Sequence, residues 1–480
     1  MRNEKMKPAQ EKGIALYFVA ALMFTLLAFS GLAIDLGRGY VVKAHLSKAV
    51  DGAALAAARK IGQGQSAAQD EANKIFNTNF PNGYLGVNSV QNPPNLTFAV
   101  GSDGSNIITV ASTAVLSTSF MKIAGFNQLT VSSSGQATRR LVDMAFVVDK
   151  SGSLNTVWSQ VKSAAQQFVS YFDANNDRIA LVMFSGNTIL MDPINTTGRG
   201  FNKTSINSHI AGATTTGFTG TPEGLYQGWD QLRSVSNSSQ SALRIIVLFT
   251  DGAPNAFSGQ FDVQNGAAFV NRQGVIHTND YPYINGQGQN NPEVQGLYQI
   301  YGTVSSPGLQ WVSPTDSTYT SGQNTNTQVT NPKIPKLPLQ SYHPNHVSSG
   351  IPFSFNLYDP SLAGQRVLLG QTAQGYTDHV QNANNAARNL TEIIANAVRS
   401  DNTGAYPIRI YALGLGDLLN SNAGSVPETG SSILMRVAND PASPNFNSNQ
   451  PSGKYYFAGD PAQLNSAFEA VRNQIIRLSQ

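Results

Sequence analysis

The chain has 480 residues, room for two or three domains. Hydrophobic residues make up 41% and charged residues 12%, so the chain is not a disordered polyampholyte. A net charge of +3 is too small and scattered to point to nucleic acid, and the lack of cysteine excludes disulfide frameworks, thiolate metal sites and thiol catalysis.

The first readable element is Ile14 to Ile34, a run of 21 residues without a charge. As a helix it measures about 31 Å, the thickness of a bilayer core. Arg2, Lys5, Lys7 and Lys12 precede it. The positive-inside rule leaves residues 1–13 in the cytoplasm and sends everything after Asp35 across the membrane. A cleaved signal peptide is the competing reading, but the run is longer than a signal core, and Ala28 and Ser30 make only a weak cleavage site before Gly31. Prepilin-type cutting after Gly13 is disfavoured, because Phe18 stands where such proteins carry Glu.

Residues 35–140 read as a small α+β module. Val42, Leu46, Val50 and Leu55 continue a helical spacing beyond the span, and a second helix is expected over Ser66 to Phe76. Alternating segments at Leu96 to Val100, Asn106 to Ala111 and Leu129 to Ser134 read as strands separated by turn residues.

From Leu141 the texture changes to alternating buried strands and helices. Asp143 to Val148, Arg178 to Phe184, Arg244 to Thr250 and Ile408 to Leu415 are apolar runs of strand length. Thr156 to Phe172, Pro222 to Arg233, His379 to Arg399 and Pro461 to Leu478 read as helices. Such alternation predicts an α/β fold, a doubly wound, mostly parallel sheet covered on both faces, over 141–480. A stretch from about 257 to 376, rich in Asn, Gln, Gly, Pro and Tyr, interrupts it and is expected to be a surface insertion near the sheet edge. Its tyrosines fit either partner contacts or the core of a small β subdomain.

Chemistry concentrates at the ends of two of these strands. The first runs into Asp149-Lys150-Ser151-Gly152-Ser153, and the strand Arg244 to Thr250 ends in Asp251-Gly252. In a parallel sheet, strand C-termini open into the ligand crevice. A polar loop, Thr214 to Pro222, lies between the two in sequence. Carboxylates and hydroxyls without His or Cys form a hard oxygen set, suited to Mg²⁺, Mn²⁺ or Ca²⁺ rather than Zn²⁺ or Cu²⁺. Because the hydroxyls are neutral, a bound ion keeps positive charge and can take an anionic group, typically a carboxylate, from a partner.

VDMAFVVDKSGSL, TTGFTGTPEGL and RIIVLFTDGAPN resemble the three segments of a von Willebrand factor A domain with a metal-ion-dependent adhesion site. The resemblance implies a Rossmann-like domain over 141–480, with direct metal ligation by Ser151 and Ser153. It also selects Thr219 over Thr221, counted from Leu225, and has Asp149 and Asp251 acting through water. Mg²⁺ is the first expectation for the cation, with Mn²⁺ and Ca²⁺ as alternatives. YYFAGDPAQLNSAFEAVRNQI resembles the family's last strand and helix, while the insertion after Asp251 departs from the pattern. The anchor followed by AIDLGRGYVVKAHLSKAVDGAALAAA resembles TadE/TadG-type Tad/Flp pilus-assembly proteins, through Asp35, Leu46, Asp51, Ala53, Ala54 and Ala56. The two resemblances in this order are the layout of TadG-like proteins.

Blander readings compete at several residues. Ser153 and Thr221 also fit helix N-caps. His343 and His346 do not read as a metal pair, since Pro344 breaks the helix that would align them. Asp173, Asp177 and Arg178 read as a solvated turn, and Asp35 as the polar end of the span. The expected function is that of a non-enzymatic, single-pass component of the bacterial inner membrane with a periplasmic C-terminal domain. It would bind a protein partner, another Tad component or an acidic ligand residue, through the metal. A structural envelope protein with a vestigial metal site is the alternative, and a metal-assisted hydrolase is disfavoured for want of a general base.

Overall fold

The computed structural model describes residues 12–101, 105–265, 268–278, 294–298, 301–303, 337–343, 350–362, 365–368, 376–422 and 428–478. These fall into two compact units that meet in sequence at Arg139–Arg140.

The first unit is built on one long helix. The apolar run and the helical spacing that follows it merge without a break into α1 (Lys12–Lys60), 49 residues long. From Ala15 through Ser30 the helix is exposed on all sides. A buried stripe then begins at Gly31 and continues through Asp35, Gly39, Val42, Leu46, Val50 and Ala53. Spacings of three and four residues keep these on one face. That face packs on α2 (Gln65–Asn79) and on an antiparallel sheet of β1 (Val87–Val90), β2 (Asn95–Val100), β3 (Asn106–Ser117) and β4 (Gln128–Arg139). β3 pairs along its length with β4 on one side, and with β2 and then β1 on the other. Its side chains alternate between buried and half-buried, as expected of a sheet covered on one face. β3 and β4 each run to 12 residues, longer than their apolar cores suggest, because Ser and Thr continue the alternation on the open face.

The second unit follows the alternating pattern of its sequence. Its elements are β5 (Val142–Asp149), α3 (Trp158–Ser170), β6 (Arg178–Phe184), β7 (Thr188–Asp192), α4 (Lys203–Gly212), α5 (Thr221–Arg233) and β8 (Leu243–Thr250). After these come β9 (Ala256–Asn265), β10 (Ala268–Thr278), β11 (Val294–Tyr298), β12 (Tyr301–Thr303) and α6 (Tyr376–Arg399). The chain closes with β13 (Ile408–Leu415), α7 (Gly430–Val437), β14 (Lys454–Ala458) and α8 (Leu464–Leu478). Seven strands form the main sheet in the order β12-β7-β6-β5-β8-β13-β14. The five from β6 to β14 are parallel, and β7 turns back antiparallel to β6.

Every residue of β5, β6 and β8 is buried, because helices cover both faces. Along β5, Ala145 and Val147 face the core shared with α5 and α6, while Met144, Phe146 and Val148 face the one shared with α3 and α8. The chain leaves β5 to build β6 on one side and returns to build β8 on the other. This is the topological switch point at which doubly wound sheets open a crevice.

Two sequence expectations change here. The stretch after Asp251 does not lie only on the surface. β9, β10 and β11 form their own antiparallel sheet, but Phe257, Phe261, Ile276, Leu337, Ile351 and Leu357 are buried in the core beneath α5 and α6. Their spacing carries no long periodic signal, since they reach that core from short pieces. Likewise Asp177 and Arg178 are not in a solvated turn: they are 0% and 2% exposed. Asp177 accepts hydrogen bonds from the backbone N–H of Val142 and of Asp173, and Arg178 pairs with Asp143 at 3.1 Å.

Candidate functional site

β5 and β8 are adjacent, with Val148 beside Phe249, so the residues following them share one edge. Asp149 ends β5, and Asp251 follows Thr250, the last residue of β8. Asp149 Oδ1 accepts the N–H of Ser151 at 2.7 Å, and its Oδ2 accepts the hydroxyl of Thr250 at 2.5 Å. Asp251 Oδ1 accepts the hydroxyl of Ser153 at 2.9 Å and that of Ser151 at 3.4 Å. The two serine hydroxyls lie 3.1 Å apart.

The loop before α5 closes the third side. Gly152 N–H donates to Gly217 O at 3.1 Å, and Thr216 N–H donates to Lys150 O at 2.8 Å, so the two loops are stitched together. Thr219 is held between Asn255, whose side-chain oxygen accepts its N–H at 2.8 Å, and the turn after β8. A Cβ on Gly252 would sit 3.3 Å from the Thr219 hydroxyl, so that hydroxyl faces the Asp251 turn at van der Waals range. All five predicted residues, Asp149, Ser151, Ser153, Thr219 and Asp251, are therefore brought to one place. Ser153 and Gly152 are exposed, and the other four are buried.

Thr221 is the first residue of α5, with Gly220 at the cap position, so it is not the N-cap. Its hydroxyl is buried without a hydrogen-bond partner. Nor does Ser153 cap a helix: it lies inside a short 3-10 turn, Gly152–Thr156, and its hydroxyl turns to Asp251. Thr250 and Asn255 are partners that the sequence did not single out. A threonine ending an apolar strand and an asparagine four residues past Asp251 carry no local signal of a contact across the sheet edge.

The electrostatics are unbalanced. Burial pushes the Asp149 carboxyl up to about 6, against the hydrogen bonds from Thr250 and Ser151 that favour its charge. Burial also raises Asp251, to about 7, and the neighbouring Asp149 charge pushes the same way. No Lys or Arg is ion-paired with either carboxylate among the described residues. Nor do the described residues hold a cluster of three or more His, Cys, Asp and Glu, so hydroxyls must complete any metal shell here. The buried Lys150 acts on Asp149 without a salt bridge to it, and two buried carboxylates with three adjacent hydroxyls carry more negative charge than that one lysine offsets, which fits a hard divalent ion.

The first hairpin after the site is tied to it. Asn255 N–H donates to Thr219 O at 3.1 Å, and Thr278 N–H donates to Asn255 O at 2.9 Å. The His277 ring stacks on Phe218. Burial lowers His277 to about 3, so it stays neutral. His343 is also buried, stacked on Tyr226 with Nδ1 3.1 Å from Glu223, and takes no part in this site. His346 lies outside the described residues.

Two stretches of the chain match known families. Residues 143–291 match the von Willebrand factor type A domain family. Residues 13–60 match the TadE/G-like Flp pilus-assembly family. Among solved structures, the von Willebrand factor domain of a type V pili tip protein from Porphyromonas gingivalis is similar at 15% identity and TM-score 0.36, covering 72% of this chain and 98% of that one. A minor pilin of Streptococcus sanguinis is similar at 14% identity and TM-score 0.34, covering 80% and 78%. A proximal thread matrix protein of the mussel byssus, solved with zinc in its MIDAS motif, is similar at 12% identity and TM-score 0.31, covering 70% and 46%. No curated protein matches the chain.

The C-terminal unit thus contains a von Willebrand factor type A domain, matched over residues 143–291. The chain joins it to a TadE/G-like segment, residues 13–60, carried on a long apolar helix.

Proposed function

We propose that this chain is a membrane-anchored pilus-assembly or adhesion component that grips a protein partner through a divalent cation at the edge of its parallel sheet. The observation that carries the proposal is a pair of buried carboxylates, Asp149 and Asp251, raised by burial and held by no salt bridge among the described residues, with only the buried Lys150 acting on Asp149. Ser151, Ser153 and Thr219 would complete the shell with neutral oxygens. A bound cation would offset the two buried charges and present an open position to an acidic side chain of the partner. Mg²⁺ is the expected ion, with Mn²⁺ or Ca²⁺ as substitutes.

The site suits binding rather than turnover. His277, the nearby histidine, is buried and neutral, and so cannot serve as a base that exchanges protons with water. Residues 14–34 would cross the inner membrane with the N-terminus in the cytoplasm, sending the chain after Asp35 to the periplasmic side. The partners would be other pilus-assembly proteins.

The test is calorimetric titration of the full chain in detergent with Mg²⁺ and Mn²⁺, alongside crosslinking in cells with and without chelator. The double variant Ser151→Ala, Ser153→Ala should lose at least about tenfold in metal affinity, some 1.4 kcal/mol, with unchanged circular dichroism. It should also lose chelator-sensitive crosslinks. Metal binding that survives the double variant, or partner capture indifferent to chelator, would sink the proposal.

A further inference from the structure

The connection between β3 and β4 carries an apolar tip. Phe120, Ile123 and Phe126 are 43%, 73% and 61% exposed. Three large apolar side chains in seven residues are unusual on a water-facing surface. Their neighbour on α1 indicates what covers them. A Cβ on Gly31 would run into Phe120, and one on Gly39 would run into Leu129. The connection therefore lies along α1 from Gly39 back to Gly31, eight residues and about 12 Å. Gly31 is inside the uncharged run that ends at Ile34, so the tip stands level with the last turn of that run.

The backbone of the tip is prepared for a dry setting. Asp35 is 1% exposed, and its carboxylate accepts the N–H groups of Ser119, Phe120 and Met121 at 2.9, 2.8 and 2.7 Å. These are the donors left over at the start of the 3-10 turn Met121–Ala124. The N–H groups of Ile123, Gly125 and Phe126 are taken up by carbonyls within the turn at 3.0–3.1 Å. Irregular backbone near hydrocarbon must have its polar groups satisfied internally. Asp35 thus clasps the tip while α1 runs on for 25 residues beyond it. Just beyond this level stand Arg38, bonded to Leu85 O at 2.9 Å, and Tyr40, 76% exposed. Basic and tyrosine side chains are those favoured at the membrane–water interface. Lys122, on the tip, has a stem long enough to reach back to the headgroups.

We propose that the 118–127 tip enters the membrane interface beside α1, giving the first unit a second lipid contact that fixes its height and tilt on the bilayer. The proposal rests on the reading of residues 14–34 as a membrane span. The occupant of the apolar tip is lipid, because the tip is continuous with the surface of the span itself.

The lack of native cysteine allows a direct test. Phe24→Cys, Lys74→Cys, Ile123→Cys and Phe126→Cys are labelled singly with an environment-sensitive fluorophore. The full chain is then reconstituted into phosphatidylcholine–phosphatidylglycerol vesicles. Position 24 reports on the span and position 74, on exposed α2 surface, on water. The expected result is loss of emission at 123 and 126 to lipid carrying a shallow doxyl quencher, protection there from iodide, deep-doxyl quenching at 24 and iodide quenching at 74. Deep quenching at 24 with iodide access at 123 and 126 would overturn the tip proposal and leave the span standing. Protection of 123 and 126 from both quenchers would also overturn it, in favour of a protein contact. Iodide access at 24 would overturn the span, and the tip proposal with it.

Discussion

The parallel sheet of the second unit has buried carboxylates at both ends, built on opposite electrostatic plans. At the N-terminal end, Asp143 is 0% exposed and receives Arg178 and Arg199, each at 3.1 Å, and the N–H and hydroxyl of Ser241 at 2.7 and 2.8 Å. Arg178 in turn donates to the carbonyls of Gly198 and Ser239, so the buried carboxylate is fully compensated. At the C-terminal end, Asp149 and Asp251 receive hydroxyls and a backbone N–H but no paired cation among the described residues. A closed network of this kind specifies structure, whereas an unneutralised pair of acids invites a ligand.

The contrast can be broken first at the closed end. Asp143→Ala should cost about 3–5 kcal/mol, because it strands the buried Arg178 charge, and denaturant unfolding of the full chain in detergent would report it. Asp251→Asn should leave the metal-free protein as stable as before or more so, since it removes one of two like charges. Equal destabilisation by both variants would erase the distinction.

A second probe sharpens the open end. Asn255 touches no proposed ligand oxygen but holds the Thr219 backbone. Asn255→Ala should weaken Mg²⁺ binding roughly ten- to hundredfold, read by calorimetry, with little change in melting temperature when metal is absent. An unaltered affinity would place Thr219 outside the shell.

The smallest effect is on pH. Asp149 and Asp251 stand above their ordinary value of 3.8 in the folded chain, at about 6 and about 7. Well below pH 4 both are protonated in folded and unfolded states alike. As pH rises, the unfolded chain ionises first, so metal-free stability falls through the window from about 4 to about 7 and then levels. The melting temperature in chelator should drop by a few degrees across that window, and saturating Mg²⁺ should abolish the drop. Asp251→Asn should flatten most of it. A melting temperature in chelator that rises across the same range would mean the acids are neutralised by groups of the protein itself.

Much of this was open to reading in the residues. A strand buried on both faces must be apolar throughout, so β5, β6, β8 and β13 stand out as unbroken runs, and whatever polar residue ends such a run is placed at a sheet edge. That is why Asp149 and Asp251 could be placed at one sheet edge in advance, and why the uncharged run at 14–34 reads as part of one long helix. Other features were settled only by the folded chain, because they depend on neighbours distant in sequence. Asp35 reads as the polar end of the span, but that it receives the N–H groups of residues 119–121 is visible only in the folded chain. Asp177 and Arg178 looked solvated until Val142 and Asp143 lay beside them. The same holds for Asn255 on Thr219, Thr250 on Asp149, and the short apolar pieces after residue 256 that complete the core. Periodicity records which face of an element is buried, and local motifs record which atoms are offered. Which offered atom meets which partner is decided by strand order and helix packing, and these bring together residues as far as 298 apart.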